Sequence, residues 1–366
     1  MSKQYEVAIV GGGIAGMSTA FRLAEAGVQT VIIEKSTLGF EASSRNAGGV
    51  RHMFRDPKEI PLAKFSIEIW QNLGAELGAE VEYVQNGCVR LAMNAAEVES
   101  LKSAYEKDLA GGLPVQLLGP DEILELIPAA PGEILMASYC PEDGHANPTA
   151  TCQALAEAIH RRGVTIREQT EVTSIRTSRD RFTISMNDDT VIEASKVLLA
   201  AGPWTSELLK QFDLDVPLVL RRPEMAETEV LEPFLKPFVG LGDLRGYGRQ
   251  TLEGRMHMGI RNLDADLHAP ESTHELIRNA KGMWSKVFPQ LEQAEIVRSW
   301  SGFTARTPDE CAMLGAVPGI NGLFVASGFS GHGFAVGPGT GVALANIIQG
   351  KDPGVDISQL GISRFL

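Results

Sequence analysis

The chain reads as an α/β fold in which a parallel, nucleotide-type sheet is interleaved with a second domain. Three observations predict this. The apolar run Val7-Ala8-Ile9-Val10 enters a glycine-rich turn, then a helical pattern, then a second apolar run, Thr30-Val31-Ile32-Ile33-Glu34. Two more such runs, Val197-Leu198-Leu199-Ala200 and Leu323-Phe324-Val325-Ala326, lie far downstream. Unbroken apolar runs of strand length are the mark of strands covered on both faces, as in a parallel sheet. Between the last two, Val216 to Ile260 alternates with polar residues like exposed strands, so a different unit is inserted there. At 366 residues, about two domains are expected.

The elements follow in order. Met17, Phe21 and Ala24 recur at helical spacing, and Gly27 stops that helix. Residues 58–111 read as mostly helical, with Leu62, Phe65, Ile69 and Leu73 on one face and a second helix over 95–110. Asn147-Pro148 is a capping side chain followed by proline at the first helical position, and that helix runs to Gly163. Short strands are expected at 164–166, 171–175, 182–186 and 191–192. The strand ending at Ala200 empties into Ala201-Gly202-Pro203-Trp204 and a helix over 205–211. A helix is expected from about Ser272 to Val287, and a last one from about Pro338 to Gln349 behind a glycine-rich stretch. The predicted division is 1–56, 141–215 and 315–366 for the nucleotide-binding domain, and 57–140 and 216–314 for the substrate domain.

Composition excludes several functions. The formal net charge of −13 argues against a nucleic-acid surface, which needs a basic stripe, and against an anionic membrane surface. No apolar run approaches the ~20 residues of a membrane span. The opening residues lack the apolar core of a signal peptide, so the cytoplasm is the expected address. The cysteines, Cys88, Cys140, Cys152 and Cys311, are widely spaced, which fits a reducing compartment and predicts no metal site.

Gly11-x-Gly13-x-x-Gly16 sits between strand and helix, and each glycine has a reason. Gly11 allows the sharp turn, Gly13 lets a diphosphate approach the backbone, and Gly16 lets helix and sheet pack closely. The first turn of the helix, with Ile14 and Ala15, offers N–H groups and a positive dipole end to the phosphates. Glu34, with Lys35 beside it, ends the next strand, where a carboxylate accepts ribose hydroxyls and disfavours a 2′-phosphate. Two later segments favour FAD over NAD. Ala201-Gly202 with Trp204 brings bare backbone to the dinucleotide. The run Gly328-Phe329-Ser330-Gly331-His332-Gly333-Phe334 precedes a helix whose N-terminus suits the negative charge of a reduced flavin.

On these motifs the chain resembles the D-amino-acid oxidase superfamily, which includes glycine oxidase, monomeric sarcosine oxidase, the sarcosine oxidase β subunit and the β subunits of proline and opine dehydrogenases. Three further strings carry the likeness: Ala42-Ser43-Ser44-Arg45-Asn46-Ala47-Gly48-Gly49, Thr307-Pro308-Asp309 and Gly331-His332-Gly333-Phe334. The resemblance implies a Rossmann-type, glutathione-reductase-like FAD-binding domain and an α+β substrate domain built on an antiparallel sheet. It implies dehydrogenation of a C–N bond in an amino acid or secondary amine, with hydride passing to flavin N5 and the imine then hydrolysing. It places Ser43, Ser44, Arg45, Asn46 and the Ala47–Gly49 backbone around phosphates, ribityl and ring, and Val172 at the adenine.

Three departures from the family pattern matter. Gly302 stands where monomeric sarcosine oxidases carry their flavin-linking cysteine, so FAD is expected to be non-covalent. His257 aligns with their oxygen-activating lysine, which makes a dehydrogenase plausible. Thr304 stands where glycine-oxidase-like enzymes hold the substrate carboxylate with an arginine, so Arg51, Arg249 or Arg306 must serve, with Tyr247 as a hydrogen-bonding neighbour. Cys311 is expected to pack, Asp309 to fix the Thr-Pro turn, and the backbone of His332 to matter more than its ring. His52 is either near the site or a plain loop residue. Three readings remain: an enzyme acting alone, the catalytic β-type subunit of a hetero-oligomer, or an FAD-binding subunit without amine chemistry. A homo-oligomer is also compatible.

Overall fold

A computed structural model describes residues 3–130, 133–178, 181–242, 246–260 and 274–366. The first sheet runs in the order Met313–Ala316, Leu323–Ser327, Val191–Leu199, Lys3–Val10, Thr30–Ile33, Thr165–Arg167. It is parallel except where Met313–Ala316 folds back on Leu323–Ser327 and where Val172–Ser178 and Arg181–Met186 join Val191–Leu199 as an antiparallel extension. The runs expected as two strands around 191 and 197 are one nine-residue strand. Its polar half pairs with the hairpin partner Arg181–Met186, while its apolar half enters the parallel core. The apolar runs are buried as expected: Val7 through Ile9, and Val31 through Ile33, are at most 1 % exposed.

The second sheet runs Ile296–Ser301, Glu224–Val230, Arg255–Ile260, Gly246–Gln250, Phe238–Leu241, Cys88–Ala92, Met136–Cys140, Gln116–Leu118. It is antiparallel apart from one parallel joint between Phe238–Leu241 and Cys88–Ala92. Cys88–Ala92 corrects the helical reading of 58–111. All five of its residues are buried, so no period shows in the sequence. Its hydrogen-bonding partners lie about 50 and 150 residues away along the chain, out of reach of local pattern.

Two other helical expectations shift. In the helix Ile60–Leu77 the buried stripe is Leu62, Ser66, Trp70, Leu73 and Leu77, whereas Phe65 and Ile69 are half-buried. The last helix starts at Gly333, five residues before Pro338, and Pro338 lies inside it. A proline there removes a ladder bond and disturbs its neighbours. Ser66 repairs the break: its Oγ donates to the Ala335 carbonyl at 2.7 Å and accepts from Gly339 N–H at 3.0 Å. Trp70 Nε1 donates to the same carbonyl at 2.8 Å. The last helix also lies tight on the first, where a Cβ on Gly341 would meet Ser18 Cβ at 2.4 Å. The helix expected from Ser272 is described from His274; Ser272 lies outside the described residues. Among the described residues no helix is long and apolar enough to cross a membrane.

Candidate active site

Two adjoining cavities lie between the sheets. The larger, about 550 Å³, follows the carboxyl ends of the parallel strands, the usual place for a ligand on such a sheet. One wall is the first turn and helix start, with Gly11, Gly13, Ile14 and Ala15. Gly11 has φ +110°, and a Cβ on it would sit 2.4 Å from the Ala200 carbonyl oxygen. Ser43 Oγ accepts from Ile14 N–H at 2.9 Å. Glu34 lines the cleft with its oxygens on Gly12 N–H at 2.7 Å and Ser36 N–H at 2.8 Å, which pins the carboxylate at the strand end.

The far end of this cleft is formed by Val172, Ala201, Gly202 and Trp204. Lys35 Nζ stands 3.0 Å from the centre of the Trp204 ring, and burial lowers the pKa of its ammonium against the pull of Glu41. At the near end Gly331, Gly333 and Phe334 line the cleft, with the N-terminus of the last helix directed at it.

The smaller cavity, about 220 Å³, is lined by Arg51, Phe54, Arg90, Tyr247, Gly302, Arg306 and His332, together with Arg45, Ala47, Gly49 and Ser330. It shares Ala42, Asn46, Thr304, Gly331 and Phe334 with the cleft, so the two adjoin across a common wall. Asn46 shapes the junction, donating to Ala42 and Ser43 carbonyls at 3.0 and 2.9 Å and accepting from Gly48 N–H at 2.8 Å. Arg51 Nη1 donates to Met53 O at 2.5 Å, and the side chain still lines the cavity. Arg306 is paired with Glu310. Burial raises the pKa of the Tyr247 phenol, so it stays protonated and can donate. A Cβ on Gly302 would lie 3.0 Å from Arg45 Cβ, so a longer side chain there would have to displace Arg45. Arg45 itself donates to Ser301 O at 2.8 Å and stacks on Phe40.

Beneath this cavity lies a buried hub. Glu59 is 0 % exposed; its Oε2 meets His332 Nδ1 at 2.8 Å and Arg55 Nη1 at 3.1 Å, and its Oε1 accepts from Ala312 N–H at 3.2 Å. Arg55 Nη2 also holds Arg51 O at 2.8 Å. Burial opposes the Glu59 charge, but His332, Arg55 and the backbone donor hold its pKa at about 2. Burial, then Arg55, pushes His332 down to about 4, with Glu59 opposing. The carboxylate is therefore ionised and the imidazole neutral near pH 7.

Several expected site residues line neither cavity. Arg249 is 1 % exposed and donates from Nε to Ala47 O at 2.9 Å, supporting the loop from behind. His257 bonds Glu227 at 2.8 Å and packs edge-on to Trp300; burial lowers its pKa and Glu227 opposes. Gly16, Ser44, Gly48 and Gly328 shape the surrounding turns without reaching the cavities. His52 is a buried structural residue, its Nδ1 2.6 Å from Asp143 and 3.6 Å from Cys140. These three could hold a metal by distance alone, but the Asp143 carboxylate is already occupied by the His52 ring and the His52 and Met53 N–H groups. Cys311 packs with 0 % exposure, and Asp309 pairs with Arg364 at 2.9 Å as well as receiving Cys311 N–H at 3.4 Å.

Sequence reasoning missed Glu59, Arg55, Phe54 and Arg90. Glu59 left one trace, an acid directly before the apolar start of a helix with proline at its second position. Arg90 was hidden by the helical reading of its strand.

The family described as FAD dependent oxidoreductase matches residues 6–347. The chain is 31 % identical to the glycine oxidase of Geobacillus kaustophilus over 374 residues, covering 100 % of this chain and 98 % of that protein. The crystal structure of that enzyme superposes with a TM-score of 0.94 over 100 % of both chains. L-proline dehydrogenase from P. horikoshii superposes with a TM-score of 0.92 at 27 % identity, over 100 % of this chain and 98 % of its own. Sarcosine oxidase subunit beta of Arthrobacter sp is 25 % identical over 99 % of this chain and 91 % of its own length. A glycine-lined cleft at the strand ends, closed at its near end by a second glycine-rich helix start, thus belongs to a chain that is a member of the FAD-dependent oxidoreductase family.

Proposed function

We propose that this protein dehydrogenates the C–N bond of a small amino acid or secondary amine, with FAD bound non-covalently. The observation that carries this reading is an arginine- and tyrosine-lined cavity that adjoins the dinucleotide cleft and shares five wall residues with it. The cleft fits FAD on its own features. Gly11 and Gly13 leave bare backbone where a diphosphate needs it, Glu34 stands at the ribose position, and two helix starts flank the length of the cavity. FAD supplies the oxidising ring that takes the α-hydrogen as hydride.

The chain's own residues do the rest. Arg51 takes the role of carboxylate clamp, since a guanidinium fork matches that group and Thr304 cannot. Tyr247 donates a second hydrogen bond from the floor of the cavity. The apolar wall from Phe54 and Phe334 excludes water and favours the neutral amine, whose nitrogen lone pair drives hydride departure. Gly302, tight against Arg45, supports non-covalent attachment.

Anaerobic mixing of the holoprotein with glycine, sarcosine, proline, D- and L-amino acids and opines tests this reading. Bleaching of the flavin by at least one is expected; a flavin left yellow by all of them would reject it in favour of an FAD-binding subunit without amine chemistry. The likeness to a sarcosine oxidase β subunit supports a second reading, a catalytic subunit that works within a hetero-oligomer. Dye reduction by the purified chain alone separates the two. His257, held neutral and already bonded to Glu227, supplies no fixed positive charge, so reduction of a dye is expected to outpace reduction of oxygen.

A further inference from the structure

We infer that the His332 ring, through Nε2, is a hydrogen-bond acceptor in the substrate cavity that holds the N–H of the amine substrate, with Glu59 as its positioning residue. The inference rests on the proposed amine chemistry and adds a recognition element to it. The chemistry of the hub forces the orientation. An ionised Glu59 can only accept, so the 2.8 Å contact requires hydrogen on His332 Nδ1. In a neutral imidazole the other nitrogen then carries a lone pair. Nε2 has no partner in the chain among the described residues, and the ring lines the smaller cavity rather than the dinucleotide cleft.

The same hub couples this acceptor to the carboxylate clamp. Arg55 grips Glu59 from one guanidinium nitrogen and Arg51 O from the other. Acceptor and clamp are thus braced from one point, so an amino acid would be held at both its nitrogen and its carboxylate. The alternative role, a base that strips the ammonium, fails on magnitude. Even an unshifted imidazole lies more than about 3 pKa units below an alkylammonium, and burial lowers this one further, so the proton transfer would run uphill by more than about a thousandfold. The ring therefore selects and aligns an amine that arrives neutral.

The test compares two ligands that differ at one atom: sarcosine, with an N–H, and methoxyacetate, with an ether oxygen in its place. Dissociation constants are measured on the holoprotein at pH 9 from flavin spectral changes, by anaerobic stopped flow for sarcosine, and sarcosine is counted as its neutral form only, about a tenth of the total at this pH. The wild type is expected to prefer sarcosine by about tenfold, one hydrogen bond's worth. His332→Leu should erase the preference with methoxyacetate binding unchanged. His332→Gln, whose amide oxygen can stand near the Nε2 position, should restore part of it. Glu59→Gln, which frees the ring to adopt the other tautomer, should weaken it. A preference that survives in His332→Leu, or is absent from the wild type, would overturn the inference. So would a His332→Leu variant whose loss falls on FAD affinity and on both ligands equally. Flavin bleaching by the wider panel decides the amine chemistry separately.

Discussion

The two cavities are built from opposite materials. The dinucleotide cleft is organised by backbone: two helix starts, glycine turns and the pinned Glu34 carboxylate, set at the ends of strands whose apolar runs declare them. The smaller cavity is mostly long side chains, Arg51, Arg90, Tyr247, Arg306 and His332, brought from five separate segments. A diphosphate is recognised by local geometry that a short motif can encode, so that half tolerates little change in its backbone. A small substrate is recognised by side chains that converge only in three dimensions. That half tolerates substitution in the fold and answers in specificity.

If the contrast holds, the largest effect comes from the smallest residue. Gly11→Ala combines a positive φ with a Cβ 2.4 Å from a carbonyl oxygen. FAD affinity should fall by at least about 100-fold, giving a colourless, folded protein by absorbance and circular dichroism; a normally yellow variant would break the comparison.

Acid sensitivity sharpens it next, because neutral histidines are buried at the smaller cavity and behind it: His332 in its lining, and His145, which lines neither cavity but pairs in register with the lining residue Gly49. Burial drives His145 down to about 3, and burial with Arg55 drives His332 to about 4. Both lie below the unfolded value near 6.5, so the unfolded chain takes up these protons first as pH falls. Their contribution is complete above about pH 6.5 and is lost towards pH 4. Between pH 7 and 5 each should cost about 2 kcal/mol of stability. Urea unfolding at the two pH values checks this, and His145→Gln should remove about half of the loss.

Arg51→Ala should then lower kcat/KM for a carboxylate-bearing amine by about 30-fold, with FAD retained. Unchanged kinetics would move the clamp to another arginine. Smallest is Asp309→Asn, which weakens a partly exposed pair with Arg364 and should cost less than about 1 kcal/mol in the same urea assay.

The sequence carried the first half of this comparison far better than the second. Gly11 to Gly16, Glu34 and the cradle around Gly331 are contiguous motifs flanked by strands and helices of their own, so chemistry and context can be checked against each other locally. Even there, Pro338 misled: proline usually opens a helix, and only the distant hydroxyl of Ser66 makes it tolerable inside one. Arg249 and His257 share the second sheet with Tyr247, two positions or one strand away. Yet Tyr247 reaches the cavity, while Arg249 turns to the Ala47 carbonyl and His257 to Glu227. No pattern in the strand itself distinguishes these outcomes. Glu59 was invisible because its three partners lie 4 residues away at Arg55 and over 250 away at Ala312 and His332.

The Ser66 and Trp70 bonds into the last helix reach beyond repairing a proline. They stitch a helix that begins just after Glu59, beneath the smaller cavity, into the hydrogen-bond ladder of the helix whose start lines the cleft. Both helices pack in one hydrophobic core with the strand Lys3–Val10, so the ground beneath the smaller cavity moves with the helix that lines the cleft. Cofactor and substrate ends of the site are therefore held to one another by a single rigid pair of helices, and loosening it at Ser66 or Trp70 should disturb both ends together.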